Sequence, residues 1–149
     1  MTLGKAVGGG LPVGVMYARP EVAQLLAPGK HGSTLGGNAI CTAVSRTIFD
    51  VIERDDLVTH AAVLGEHAVA RLKNEKRIAD KVAQVRGRGL FLGIELKAAP
   101  EKFVERVLER GVIANLTAKT VIRVAPPINI DKQLLDEGLD VLVSVIAEL

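Results

Sequence analysis

The sequence predicts a mixed helix-and-strand protein of the α/β class, and three observations carry that reading. Hydrophobic residues make up 48% of the 149 positions while aromatics make up 3%, with no Trp, so a folded body with an aliphatic core is expected. Two long stretches space their apolar residues by threes and fours, as one helix face requires. Between and after them, short β-branched runs are punctuated by Gly and Pro, as strands are. The order is helices first, then strands mixed with helices, which predicts a boundary between residues 1–54 and a compact α+β unit over 55–149.

The elements follow in order. After the opening MTLGKAVGGG, the apolar run LPVGVMYA (11–18) reads as a buried strand ending before Arg19-Pro20. Pro20 suits the first position of a short helix, PEVAQLLA, stopped at Pro28-Gly29. The loop KHGSTLGGN (30–38) is polar and glycine-rich and can present backbone N–H groups. Residues 38–54 read as a helix with Ile40, Val44, Ile48, Val51 and Ile52 on one side. Residues 56–74 read as a second, with the stripe Leu57, Ala61, Leu64, Ala68 and Leu72. VRGRGLFLGIEL (85–96) reads as one apolar strand with glycines before and inside it, and PEKFVERVLERG (100–111) as a helix bracketed by Pro and Gly. VIAN (112–115) and VIRV (121–124) are short strands, the second halted by Pro126-Pro127. Asp131 caps a last helix with an inner face of Leu135, Leu139, Leu142, Ile146 and Leu149.

Composition excludes several function classes. A net charge of +2 with interspersed signs is too small a basic bias for nucleic acid, and stacking aromatics are missing. No apolar run is long enough for a bilayer span, and the N-terminal residues lack a signal-peptide layout, so a cytoplasmic protein is expected. The single Cys41 fits a reducing compartment and, within the run NAICTAVSRTIF, reads as a buried structural thiol. No two of the three histidines have ligand spacing, so no metal is expected. His60 and His67 are assigned to a polar helix face, Arg86 and Arg88 to solvated turn charges, and the charges of 101–110 to local ion pairs.

Lys5 is the first residue that asks for chemistry. Its default reading is a solvated amine near a terminus. A phosphate loop does not fit, because Ala6 follows the lysine where Ser or Thr is needed, and the glycines come after it. A lysine acting as nucleophile toward a carbonyl fits better: it needs a clear approach, and glycines let backbone come close to a bulky planar partner.

Four segments in order, LGKAVGGGLPVGVMYA, HGSTLGGNAICTAV, VRGRGLFLGIEL and VIRVAPPINI, resemble the closing half of class III aminotransferases, pyridoxal-phosphate enzymes of fold type I. The resemblance runs from Lys5 to the C-terminus. Within the class, the GVIAN…VIRVAPP ending is most similar to acetylornithine aminotransferases, with ornithine aminotransferases next.

What the resemblance implies can be assigned residue by residue. Lys5 matches the lysine that condenses with the cofactor aldehyde and then moves a proton at the substrate Cα as base and acid. Thr34 matches a residue reaching the cofactor phosphate of the neighbouring subunit, with Ser33 and Gly32 shaping that turn; its local alternative is a cap for the following helix. Arg123 matches the arginine that holds the substrate α-carboxylate, a task suited to a planar bidentate donor. Its alternative is a charge at a strand edge, which the apolar surroundings of VIRVAPP argue against because a buried unpaired guanidinium is costly. Asn115 is a candidate for the substrate pocket. There are departures: Gly4 stands where relatives often have Ala, Leu35 replaces an aromatic, and Ala39-Ile40 replaces Pro-Leu.

The resemblance also implies a division of labour. In the family, an upstream segment supplies the phosphate-binding glycine loop, the ring stacked on the pyridine and the aspartate paired with its nitrogen. Residues 1–54 then correspond to the end of the cofactor-binding large domain, 55–149 to the small domain, and the chain to a fragment with Met1 internal. The expected activity is transfer of the N-acetylornithine amino group to 2-oxoglutarate in arginine biosynthesis, by a homodimer. Ornithine and 4-aminobutyrate aminotransferases share the chemistry, and a non-catalytic dimerisation or regulatory module is the competing class. A further expectation is aggregation, since one strand and two helices in 1–54 cannot enclose a sheet and leave apolar surface in water.

Overall fold

The computed structural model describes residues 1–149, which divide into two compact units, Met1–Asp55 and Asp56–Leu149. No helix is long and apolar enough to cross a membrane.

In the first unit, β1 (Thr2–Leu3) and β2 (Val15–Met16) form a two-stranded antiparallel ribbon pairing Thr2 with Met16 and Leu3 with Val15. The buried strand expected over 11–18 is thus two residues long, and Met16 and Tyr17 are exposed. The cause is topological: an apolar run becomes a buried strand only where neighbours pair with it and cover it, and in this unit β1 alone pairs with it. Helix α1 (Pro20–Ala23) has Pro at its first turn as expected and tightens into a 3₁₀ turn over Gln24–Leu26.

Helix α2 (Ala39–Arg54) is capped by Asn38, whose side chain accepts from the Cys41 N–H at 2.9 Å. Its inner face is Cys41, Val44, Ser45 and Ile48. Cys41 is buried as a structural thiol, whereas Ile40 falls off the face and is 73% exposed. Ile40 is four residues before Val44 but about 100° round the helix from Cys41, which puts it at the edge of that face, in the first turn.

The second unit is built on a four-stranded antiparallel sheet in the order β3-β4-β6-β5. Its strands are β3 (Val82–Arg88), β4 (Phe91–Leu96), β5 (Asn115–Thr117) and β6 (Val121–Val124). The single strand expected over 85–96 is therefore a hairpin, closed by Arg88 opposite Phe91 around Gly89-Leu90, with Gly89 at φ +53°. The first of the two short strands is likewise displaced, from 112–115 to 115–117, because only there does it find β6 to pair with.

Helices α3 (Leu57–Asn74), α4 (Phe103–Glu109) and α5 (Lys132–Ala147) supply the rest of the core. The α3 stripe Leu57, Ala61, Leu64, Ala68 and Leu72 is buried throughout, as its spacing predicts. Asp131 caps α5 by accepting from Gln133 N–H at 2.6 Å; Leu135, Leu139, Leu142 and Ile146 are buried, but Leu149 lies past the helix and is 42% exposed. Helix α4 ends at Gly111, φ +83°, with Gly111 N–H donating to Leu108 O and Val112 N–H to Val107 O, the paired bonds of a Schellman terminus. The charges of 101–110 are not paired locally: Arg106 and Arg110 both reach Glu148 beyond the end of α5.

The two α3 histidines also point inward rather than to solvent. His60 Nε2 meets the Ile130 carbonyl oxygen at 2.9 Å, and His67 Nε2 meets Asp136 Oδ1 at 2.7 Å. Asp136 receives further bonds from Arg71 and Lys132, both at 2.7 Å. The Lys132, His67 and Arg71 donors hold its carboxyl well below the usual aspartate range. A depressed folded-state value means a stabilising contribution complete above the unfolded carboxyl near pH 4 and lost as pH falls through the folded value. Asp136→Asn should therefore cost about 2 kcal/mol at pH 7 and flatten the acid limb of a urea-denaturation series below about pH 4.

Candidate active site

In the first unit, Lys5 opens a 3₁₀ turn over Lys5–Gly8. Its φ of +60° is left-handed, a conformation costing a non-glycine residue roughly 1–3 kcal/mol. The lysine is exposed and its amine has no hydrogen-bond or ion-pair partner in the chain.

The glycines that follow serve the loop's own packing. A Cβ on Gly8 would lie 2.8 Å from Val13 Cγ1, and one on Gly9 3.0 Å from Val44 Cγ1 and 3.3 Å from Ile48 Cδ1. Gly9 is also left-handed, at φ +56°. These two residues let the loop fold against Val13 and α2, while Gly4 and Gly10 face open space, with nothing within 4 Å. Of these glycines, the two left open lie before and after the packed pair.

The 30–38 loop is a series of turns in which Gly36 N–H donates to Ser33 O at 3.2 Å. A Cβ at Gly36 would meet Ser33 Cβ at 2.8 Å, so a side chain there would force the turn to shift. Because Asn38 takes the cap of α2, the alternative role weighed for Thr34 is filled by another residue. The Ser33 and Thr34 hydroxyls are left exposed and without partners in the chain. Ser33, Gly36, Gly37 and Cys41 line a cavity of about 360 Å³ to which neither Lys5 nor Thr34 contributes.

In the second unit, Asn115 and Arg123 are directly opposed across β5 and β6. Residues directly opposite on adjacent strands share a face, so the structure brings these two sequence-assigned residues together. Ile122, buried next to Arg123 on β6, faces the helical core, and strand alternation turns Arg123 to the other face of the sheet. Arg123 is exposed and carries no ion pair, so the burial argument made for it from the apolar sequence around it does not hold. Its case rests on being a free guanidinium where most arginines of this unit, Arg71, Arg77, Arg86, Arg106 and Arg110, are paired with carboxylates.

Sequence reasoning missed that Arg86 is one of those paired residues. It donates to Glu95 and, at 3.0 Å, to Gln84 Oε1. Only the β3–β4 register, which pairs Arg86 with Gly93 and Gln84 with Glu95, reveals it. At Glu75, Arg77 holds the carboxyl down to about 2, chiefly by its side-chain hydrogen bonds and then by its backbone N–H; this is a local clamp between residues two positions apart, with Glu75 half-buried and Arg77 exposed.

The first unit thus carries an unpaired amine and two free hydroxyls in a glycine turn, and the second, taken by itself, an unpaired guanidinium; these groups are of the kinds that suit an aldehyde, a phosphate and a carboxylate respectively. The family description "Aminotransferase class-III" matches residues 1–146, and the chain belongs to that family, whose members use pyridoxal phosphate. Its mixed α/β structure is part of the fold type I architecture. Among curated relatives, ornithine aminotransferase 1 of Staphylococcus saprophyticus is 41% identical over 145 residues, covering 97% of this chain and 36% of the relative. Among solved structures, an ornithine aminotransferase from Plasmodium yoelii matches at TM-score 0.89 and 32% identity, over 97% of this chain and 39% of that one. An acetylornithine aminotransferase from Elizabethkingia anophelis matches at TM-score 0.88 and 31% identity, over 99% and 38%. The chain thus spans little more than a third of the length of these relatives.

Proposed function

We propose that this chain supplies the cofactor-attaching and substrate-clamping residues of a pyridoxal-phosphate aminotransferase acting on ornithine, with 2-oxoglutarate as amino acceptor. The observation that supports it most is Lys5: a non-glycine residue in left-handed backbone, its amine free of partners, beside glycines open to an approaching group. Ornithine is preferred over N-acetylornithine, the substrate expected from the sequence ending, because the similarity to ornithine aminotransferases reaches 46% identity across almost the whole chain. The likeness to an acetylornithine aminotransferase structure keeps that substrate as the second reading. In this proposal residues 1–54 are the end of the cofactor-binding domain and 55–149 the small domain.

Lys5 would hold the cofactor through Nζ. Thr34, with Ser33 beside it, would hold the phosphate of the neighbouring subunit's cofactor in a homodimer. Arg123 would bind the substrate carboxylate in a fork, and Asn115 opposite it would orient the second oxygen. When bound, pyridoxal phosphate would supply an electron-poor ring that takes up charge from the substrate carbon bearing the transferred amine. Lys5 Nζ would take the proton from the carbon bearing the transferred amine, as base, and then donate a proton as acid.

Two measurements test the reading. Treating the protein with pyridoxal phosphate and then borohydride should fix the pyridoxyl group on Lys5 by peptide mass mapping, and Lys5→Ala should carry none. An adduct on another side chain, or one that survives in Lys5→Ala, rejects the assignment. In an active preparation, kcat/KM for ornithine should exceed that for N-acetylornithine by about tenfold or more, on the scale of one discriminating pocket contact. The reverse order restores the second reading.

A further inference from the structure

We propose that Arg86 is a positioning residue that keeps Glu95 away from Arg123, so that the Arg123 guanidinium stays available to a carboxylate ligand; this rests on the reading of Arg123 given above. The argument comes from register. Gly93 on β4 is paired with Arg86 on one side and with Arg123 on the other. All three therefore share one face of the sheet, with Asn115 continuing the row beyond Arg123. A Cβ built at Gly93 would meet Val121 Cγ1 at 3.3 Å and Arg86 Cγ at 4.0 Å, which puts the Arg86 stem over the same surface.

Glu95 lies two residues along β4 from Gly93, on that same face. It is thereby the diagonal neighbour of both arginines, at a backbone separation of about 7–8 Å from each, within reach of long side chains. A free carboxylate so placed competes with any carboxylate ligand for Arg123. In the structure that competition is resolved in one direction. Glu95 is taken by Arg86, whose Nη1 also donates to Gln84 Oε1 at 3.0 Å, and Gln84 is the residue directly opposite Glu95. Arg123 is left with no acidic partner, while Glu95 is 37% exposed and so retains room to turn. Gly93 itself adds no side chain between the two arginines, and the space above it is taken by the Val121 methyl group.

The test uses the 149-residue chain, with arginine Nε–Hε signals read by NMR and glutarate as a dicarboxylate probe. In Arg86→Met, Glu95 should turn to Arg123: the Arg123 Nε–Hε signal shifts, and adding Glu95→Gln returns it to its original position. Arg86→Lys, which keeps the charge, should leave it close to wild type. An Arg123 signal unchanged in Arg86→Met, or a shift that persists in Arg86→Met/Glu95→Gln, overturns the inference. Glutarate affinity should fall on the order of fivefold in Arg86→Met, the scale of a solvent-exposed ion pair, and recover in the double variant. If Arg123→Met leaves glutarate binding unaltered, the carboxylate role of Arg123 fails, and the NMR comparison still decides where Glu95 goes. If Arg123→Met abolishes binding but Arg86→Met does not weaken it, the carboxylate role stands and the positioning role of Arg86 falls.

Discussion

Gly65→Ala should abolish cooperative folding of the 56–149 unit. Gly65 lies in the middle of α3 and is buried against the β3–β4 hairpin. A Cβ at that position would sit 2.1 Å from the Gly89 carbonyl oxygen, 2.4 Å from its carbonyl carbon and 2.8 Å from its Cα. All three are backbone atoms, so no side-chain rotation relieves the overlap. Either the hairpin turn or the helix must move, and both carry core residues: Leu64 and Ala68 on one side, Leu90 and Leu92 on the other. Ordinary overpacking costs roughly 1–3 kcal/mol because flexible side chains absorb it. Here the cost should exceed that range and consume most of the roughly 5–15 kcal/mol that a domain has in total. The matched control is Gly138→Ala in α5, where nothing lies within 4 Å of the new methyl group. That change should stabilise by about 0.5–1 kcal/mol, because alanine loses less backbone entropy in a helix. Urea denaturation followed by circular dichroism reads both. A Gly65→Ala midpoint within experimental error of wild type would mean that the α3–hairpin contact is looser than described.

That contact also marks where the sequence stopped being informative. The stripe of α3 and the inner face of α5 are legible because a helix presents its pattern within its own residues, and the Asn38 and Asp131 caps depend on neighbours three or fewer positions away. The hairpin is not legible in the same way. Leu90 sits in its turn yet is 7% exposed, so the apolar run continues through the bend and hides it. The ribbon at 15–16 fails for the opposite reason: a strand-like pattern is present, but strand length and burial are decided by partners that a local window does not contain. At the candidate site the same division holds. Lys5, Ser33, Thr34 and Arg123 stand in contiguous motifs that resemble a family. Arg86 and Glu95 are nine positions apart and become neighbours only once β3 and β4 are in register. His67 and Asp136, 69 positions apart, meet only when α3 and α5 pack.

Hydrogen exchange on the intact chain should separate the two units by about a thousandfold or more in protection, with 1–55 the fast part. The expectation follows from how little the first unit buries. Its buried apolar side chains are Val7 and Cys41, at 9% and 7% exposure, and the buried Ser45 hydroxyl on α2 has no partner. Against these stand Met16, Tyr17, Val22, Leu25, Leu26, Leu35, Ile40 and Phe49, all large and exposed. The second unit buries a continuous cluster from α3, α4, α5 and all but the shortest strand, including Phe103, Val107, Ile122, Leu139, Val143 and Ile146 at 1% exposure or less. Each such side chain contributes about 1.5–3 kcal/mol when fully buried, so the second unit has the apolar burial to offset ordering its backbone and the first does not. A gap of about 4 kcal/mol in local opening free energy corresponds to that thousandfold. The α2 amides should exchange last within the first unit, since 16 residues of hydrogen-bonded helix persist longer than a two-residue ribbon. A hydrophobic dye should bind the wild-type chain, with its signal lowered by polar substitutions at Leu25 and Leu26. Uniform protection across both units, together with no dye binding, would show that the exposed apolar residues of 1–55 are covered in solution, and the weak-core account of that unit would have to be abandoned.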